Sequence, residues 1–281
     1  MKLDGAVPIS AVRTGVRGRD FWVSEPAELE VKVGRGADTR MVAALRRPGR
    51  EPGLFWLGGL RSDMAGAKAE ALDRWAATSG HAFTRFDYSG HGRSAGRFED
   101  GTISRWLKEA ETVFAECTAG PQIVVGSSMG GWIALLLARR LLKAGIRDRL
   151  AGMILIAPAV DMTKVLMWDL FDEAARAEIT EKGSYSQQSD YSDEPYVLTR
   201  TLIQDGRKHL FGARPIETGC PVHVIQGMQD TDVPWMHATE LMEKFAFDDA
   251  VLTLVRDGDH RLSREEDLER LIRAVEALIA G

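Results

Sequence analysis

The sequence predicts an α/β fold: a mostly parallel, twisted sheet with helices on both faces and a small insertion at about 161–215. Three observations predict it. After Gly58-Gly59, extended and helical runs alternate, the rhythm of parallel strands joined by crossover helices. The run 122–125 (QIVV) is rich in β-branched residues and 153–157 (MILIA) is apolar on both faces, as a strand covered from both sides must be. The stretch 161–215 then interrupts the rhythm with far more chain than the dozen or so residues a crossover needs, so an insertion leaves the sheet there.

Taken in order, runs suited to strands fall at 21–23, 29–33, 40–45 and 54–57, punctuated by Gly34, Gly36, Pro48, Gly49 and Pro52, which reads as an antiparallel start. After Gly58-Gly59 a helix is expected at 64–78, with Ser62 or Asp63 as its N-cap. A strand at 82–86, a helix at 103–117, a β-branched strand at 122–125, a helix at 130–142 and a strand at 153–157 follow. Inside the insertion, Val165, Leu166, Trp168, Leu170 and Phe171 have helical spacing within 162–179, while 183–195 is polar and turn-rich. The alternation resumes with a strand at 222–225, a helix at 237–245, a strand at 251–255 and an amphipathic helix at 264–279. The expected organisation is thus a core of 1–160 and 216–281 with a lid of 161–215.

Composition narrows the function. With 281 residues, 44% hydrophobic and 27% charged, the chain can bury a core of its own, which excludes disordered and disulfide-stapled classes. A formal charge of −5 without single-sign blocks argues against nucleic acid as a partner. The longest apolar runs, 132–138 and 153–160, fall far short of the ~20 residues of a membrane span. Residues 1–20 lack the apolar stretch of a secretory signal, and Cys117 and Cys220 have neither disulfide-framework nor metal-ligand spacing, so a reducing, cytoplasmic setting is expected.

The chemistry concentrates at Gly126-Ser127-Ser128-Met129-Gly130, between a strand and a helix. A G-x-S-x-G in that context forces a sharp turn whose flanking residues must lack bulk, and it presents the Ser128 hydroxyl at a helix N-terminus. A serine needs a base, and the base an orienting acid, in the chain order Ser, Asp or Glu, His. Asp230 stands at the carboxyl end of the strand 222–225, where ligands gather in open parallel sheets, and Asp232 reads instead as a turn or capping residue. Of six histidines only His260 follows the last strand; His91, in a Gly-rich loop before the serine, is its main rival. The backbone N–H of Met129 and that of Leu60, after Gly58-Gly59, are the expected oxyanion donors. Neither metal nor organic cofactor is called for.

These residues resemble the α/β-hydrolase superfamily. LGGLRSDM at 57–64, RFDYSGHGRS at 85–94, GPQIVVGSSMGGW at 120–132, QGMQDTDVPW at 226–235 and GDHR at 258–261 are similar to the palmitoyl-protein thioesterase and acyl-glucuronide esterase group of mitochondria, over roughly 53–275. The excess of Arg over Lys suggests a bacterial member; a eukaryotic one would sit in the mitochondrial matrix. The resemblance implies a serine hydrolase of carboxylic esters or thioesters, with Ser128, Asp230 and His260 as its triad and a small-molecule or acylated-protein substrate. A C–C bond hydrolase and a non-catalytic ligand-binding homologue are the alternatives. Similarity is lowest in the insertion, where Trp168 and Phe171 are expected to meet the substrate and Arg200, Arg207 and Lys208 could meet an acidic head group.

Overall fold

A computed structural model describes residues 25–187 and 196–281, so the run at 21–23 and Tyr191 lie outside the described residues. The described chain begins with β1 (Ala27–Val33), β2 (Arg40–Arg47), β3 (Arg50–Leu57), helix α1 (Ala67–Ser79), β4 (His81–Phe86) and α2 (Ile103–Cys117). It continues through β5 (Gln122–Ser127), α3 (Met129–Lys143) and β6 (Leu150–Ile156). Next come α4 (Glu173–Lys182), β7 (Ser184–Gln187), β8 (Tyr196–Thr199) and α5 (Arg200–Gly206), then β9 (Val222–Gly227), α6 (Trp235–Lys244), β10 (Ala250–Val255) and α7 (Glu265–Ala280). Eight strands make one sheet, in the order β1-β2-β4-β3-β5-β6-β9-β10.

The antiparallel start holds for β1 with β2 and for β2 with β4, and it stops there. β3 pairs in parallel with both β4 and β5, because its residues Leu54 to Leu57 are all buried and belong to the sheet's middle. Alternation along these central strands feeds two cores. Leu54, Trp56, Ile123, Val125, Ile154 and Ile156 face Leu72 of α1 and Leu271 of α7. Phe55, Leu57, Val124, Met153 and Leu155 face Trp106 and Phe114 of α2 and Trp132 of α3. Side chains of successive strand residues point to opposite faces, so continuous apolar runs are what a doubly covered sheet requires. None of the described helices is long and apolar enough to cross a membrane.

Two expected boundaries are corrected. α1 starts at Ala67 with Gly66 as N-cap, so neither Ser62 nor Asp63 caps it. The Met64 N–H is taken by Asp87 Oδ1 at 2.7 Å and the Ala65 N–H by Asp63 Oδ1 at 2.9 Å, which holds 63–65 in a turn instead of a first helical turn. Nor is 162–179 one helix. Thr163–Trp168 is a π-helical turn, and α4 begins afresh where Asp172 accepts the Ala175 N–H at 2.8 Å. An Asp that offers its carboxylate to the backbone two or three residues on ends one helix and starts another, whatever the apolar spacing across it. Part of the turn-rich run 183–195 is the strand β7, paired antiparallel with β8.

Candidate active site

Ser128 sits between β5 and α3 at φ 53 and ψ −119, a backbone conformation that L residues avoid. The space to turn comes from its neighbours. A Cβ on Gly126 would lie 2.4 Å from the Gly130 carbonyl oxygen, and one on Gly130 would lie 2.0 Å from that of Leu57. The turn is held from below by the Ser128 N–H, which donates to Ile156 O at 2.8 Å, while Ser128 O accepts from Gly131 and Ala159 at 2.9 and 3.1 Å. The bonds therefore over-determine a strained residue.

The Asp230 side chain is fully buried after β9. Its Oδ1 accepts the N–H groups of Asp232 and Val233 at 2.9 and 2.8 Å. Its Oδ2 accepts from Gln226 Nε2 at 3.0 Å and from His260 Nδ1 at 2.8 Å. Because a carboxylate only accepts, Nδ1 of His260 carries the proton and Nε2 is left to face the Ser128 hydroxyl, 3.1 Å away. The structure thus brings Ser128, His260 and Asp230 into one line of hydrogen bonds. Pro234 occupies the N-cap of α6, and Asp232 stands in the bend before it. Its carboxylate, with Asp230 and His260, places three ligand-type atoms within 4.8 Å of one another. Both Asp230 oxygens are already engaged by N–H donors, so the group is built to orient a proton donor and not to hold a cation.

The other histidines are placed elsewhere. His91, the rival base, is buried among Tyr88, Phe98 and Trp106, and burial lowers its pKa to about 4. His223 bonds Thr253 across β9 and β10 at 2.8 Å, and His81 Nδ1 bonds Pro52 O at 2.8 Å. Asp259, beside His260, accepts the Leu262 N–H at 2.9 Å and serves its own loop.

A cavity of about 400 Å3 opens over Ser128 and His260, lined also by Gly59, Leu60, Arg61 and Lys68. Leu60 reaches it from the loop after β3, and Met129 opens α3, where the first N–H groups have no intrahelical acceptor. Gly59 keeps this approach open, because a Cβ there would press to 3.3 Å from that of Ser128. Tyr196 of β8 is the aromatic group in the described lining. Trp168 and Phe171 are not in it: the Trp168 ring has the guanidinium groups of Arg176 and Arg207 over it at 5.7 and 5.4 Å, and Phe171 packs edge-on to Tyr185. Arg200 donates to Thr180 O and Lys208 pairs with Asp205, so those cations too are spent elsewhere.

The cations that do reach the cavity are Arg61, Lys68 and Arg261. Sequence reasoning missed them. Arg61 follows the Gly58-Gly59-Leu60 run directly, at a positive φ of 55, with its guanidinium over the rings of Phe98 and Tyr196 at 4.7 and 5.3 Å. Lys68 donates to Arg261 O and, at 3.2 Å, to Ser263 Oγ, and burial pushes its ammonium down to about 8 against the pull of Asp259.

A profile described as Alpha/beta hydrolase family matches residues 48–274. The mitochondrial palmitoyl-protein thioesterase ABHD10 of Mus musculus is 33% identical over 241 residues, 85% of this chain and 78% of that protein. Its Homo sapiens counterpart is 32% identical over 245 residues, 86% of this chain and 78% of that one. Among solved structures, one from Agrobacterium vitis S4 superposes with a TM-score of 0.88 at 50% identity, covering 91% of this chain and 100% of its own. Mouse alpha/beta hydrolase domain-containing protein 10 gives 0.80 at 30% identity, covering 92% and 99%. The chain belongs to the alpha/beta hydrolase family.

Proposed function

We propose that the protein is a serine hydrolase of carboxylic esters or thioesters that works through an acyl-enzyme on Ser128. The observation that carries the reading is the line from Asp230 through His260 to Ser128 Oγ, at 2.8 and 3.1 Å, at the edge of the cavity. Ser128 Oγ attacks the acyl carbon while His260 Nε2 takes its proton, and Asp230 steadies the imidazolium. The oxygen that becomes negative is received by the N–H groups of Leu60 and Met129. Collapse breaks the bond to the alcohol or thiol, which leaves with the proton from His260; water then repeats the sequence in reverse on the acyl-serine. Residues 161–215 act as a lid, since Tyr196 comes from that segment to the cavity wall.

The printed activity of the ABHD10 relatives, palmitoyl-protein thioesterase, supports a thioester of an acylated protein as one substrate class. A second class, esters of small acids such as acyl glucuronides, is favoured by Arg61, Lys68 and Arg261, which give the described lining three cations and no carboxylate. We place the protein in a reducing compartment, the cytoplasm, because both of its cysteines are buried free thiols. A fluorophosphonate probe is expected to label the wild type and not Ser128→Ala. An unlabelled wild type would favour a ligand-binding homologue. Inactivity on p-nitrophenyl esters, S-palmitoyl peptides and an acyl glucuronide, with turnover of a β-diketone, would favour C–C bond hydrolysis.

A further inference from the structure

A second cavity, of about 360 Å3, is lined by Ser104, Arg139, Arg140, Lys143, Lys208 and His209. It lies at the far end of α3, about 16 Å along the helix axis from Ser128 at ~1.5 Å per residue. Three elements meet there: the first turn of α2, the last turns of α3 and the turn after α5. The described lining contains cations, a serine and a histidine, and no carboxylate.

Ser104 Oγ is 2.8 Å from Asp205 Oδ1 and 2.7 Å from His209 Nε2, which at first sight repeats the elements of a nucleophilic site. The connectivity differs. Asp205 holds the serine itself, accepting its N–H at 2.7 Å as well, and meets the histidine only through the same Nε2, at 3.9 Å. No base is oriented, so the cluster is a clamp that fixes the 207–209 turn against α2.

What the clamp fixes is positive charge. Lys208 pairs with Asp205 at 2.8 Å and Arg140 with Glu111 at 3.2 Å. Arg139, half-buried, lies over the Phe211 ring at 4.8 Å, and neither it nor Lys143 forms an ion pair among the described residues. Asp161, whose charge acts on Arg139, already accepts the N–H groups of Phe211 and Gly212, both at 2.8 Å. Burial, then Arg140 and Arg214, hold the Arg139 guanidinium below its ordinary value, so these cations crowd one another. Basic residues in a last helical turn complement the helix dipole, which accounts for Arg140 and Lys143 taken singly. Lys208 has its pair in Asp205, but neither effect accounts for a half-buried Arg139 without an ion pair among the described residues, in a chain whose net charge is −5.

We propose that this cavity is a binding site for a phosphate-bearing small molecule whose phosphoryl groups carry two or more negative charges. The guanidinium fork of Arg139 and the ammonium group of Lys143, the two lining cations without an ion pair among the described residues, match the phosphoryl oxygens of at least a dianion, beside Arg140 and Lys208, which Glu111 and Asp205 hold in place. Such a ligand bridges α3 and the turn after α5, joining the sheet's covering layer to the inserted segment.

Titration calorimetry of the full chain with inorganic pyrophosphate at low salt is expected to show saturable binding. The double variant Arg139→Gln/Lys143→Gln is expected to weaken it about tenfold or more, as loss of charge-assisted contacts does. Arg139→Lys/Lys143→Arg keeps it, and both double variants keep the wild-type melting temperature and ester turnover. Lys68→Gln, in the cavity around Ser128, leaves the pyrophosphate affinity unchanged. Absence of saturable binding, equal affinity in the glutamine variant, or a loss found in Lys68→Gln instead would overturn the assignment. So would binding of an oligoglutamate peptide without binding of pyrophosphate, which would make the patch a surface for an acidic protein.

Discussion

Replacing Asp230 with Asn tests the proposed relay at its least exposed point, and the outcome can be worked from the four hydrogen bonds the carboxylate accepts. An amide has one acceptor oxygen and one donor nitrogen, so it must choose a side. If its oxygen turned to His260, its NH2 would confront the N–H groups of Asp232 and Val233, two donors now without acceptors, at about 1–3 kcal/mol each. If its oxygen stays with those two, the NH2 faces His260 and Gln226, and Gln226 Nε2 still has the carbonyls of Gly227 and Val233 at 3.1 and 3.0 Å. The second orientation therefore wins. It makes Nδ1 of His260 an acceptor and moves the ring proton to Nε2, where the nitrogen can no longer take a proton from Ser128. A wrong tautomer with intact geometry costs about 10⁴-fold in kcat, or roughly 5 kcal/mol of barrier. The assay is steady-state hydrolysis of a p-nitrophenyl ester beside a thermal melt, with Asp232→Asn as control, expected to stay within a few-fold of wild type. An Asp230→Asn enzyme within tenfold of wild type, or a larger loss in Asp232→Asn, would refute the argument.

Ser128→Ala is expected to lose about 10³-fold or more in kcat with the fold intact, whereas Ser128→Gly, equally inactive, gains about 1 kcal/mol in a urea melt because its φ of 53 no longer strains a side chain. With Lys68 charged below about 8 and neutral above, KM for an anionic ester is expected to rise as pH increases through that value, while KM for a neutral ester does not; Lys68→Arg abolishes the rise. Glu109, fully buried, accepts from Arg40 and from the Ser89 N–H and hydroxyl at 2.9 and 2.6 Å, so Glu109→Ala, read by urea denaturation, costs about 1–3 kcal/mol by leaving the Ser89 donors without their acceptor, while Arg40 keeps the exposed Asp38 at 3.3 Å. Gly227→Ala places a Cβ 2.4 Å from Gly258 O; the displaced His260 loop lowers kcat about 10²-fold, measured together with the rate of fluorophosphonate labelling.

How much was legible in the sequence depended on whether the cause was local. The elbow at Ser128 could be found because its requirement, no Cβ two residues to either side, is written in adjacent letters. Asp230 and His260 could be found because each follows a strand whose apolar run is equally local. At 162–179 helical spacing persists across Asp172 although that side chain caps a new helix, so the break is hidden in the apolar pattern. Trp168 has the aromatic character of a substrate contact, but the guanidinium groups of Arg176 and Arg207 lie over its ring, at 5.7 and 5.4 Å. Lys68 shows the opposite failure. Nothing near it marks it, since its burial and its partner Arg261 come from 193 residues further along the chain.

The chain order of the site residues follows from the strand order. β5, β6, β9 and β10 lie side by side, and neighbouring strands are about 4.8 Å apart, so the ends of β5 and β9 stand roughly 10 Å from each other. Ser128 and Asp230 cannot touch at that separation; an imidazole can span it. Yet His260 follows β10, on the side of β9 away from Ser128, so the chain after β10 must double back over the end of β9. It does so in contact: Met228 and Gln229 donate their N–H groups to Val255 O and Gly258 O, each at 2.8 Å. The crossing leaves no room above Gly227, where a Cβ would meet Gly258 O at 2.4 Å and Asp259 O at 2.5 Å. The bridging ring needs the longest reach, and the loop after the outermost strand is the one free to cross its neighbour.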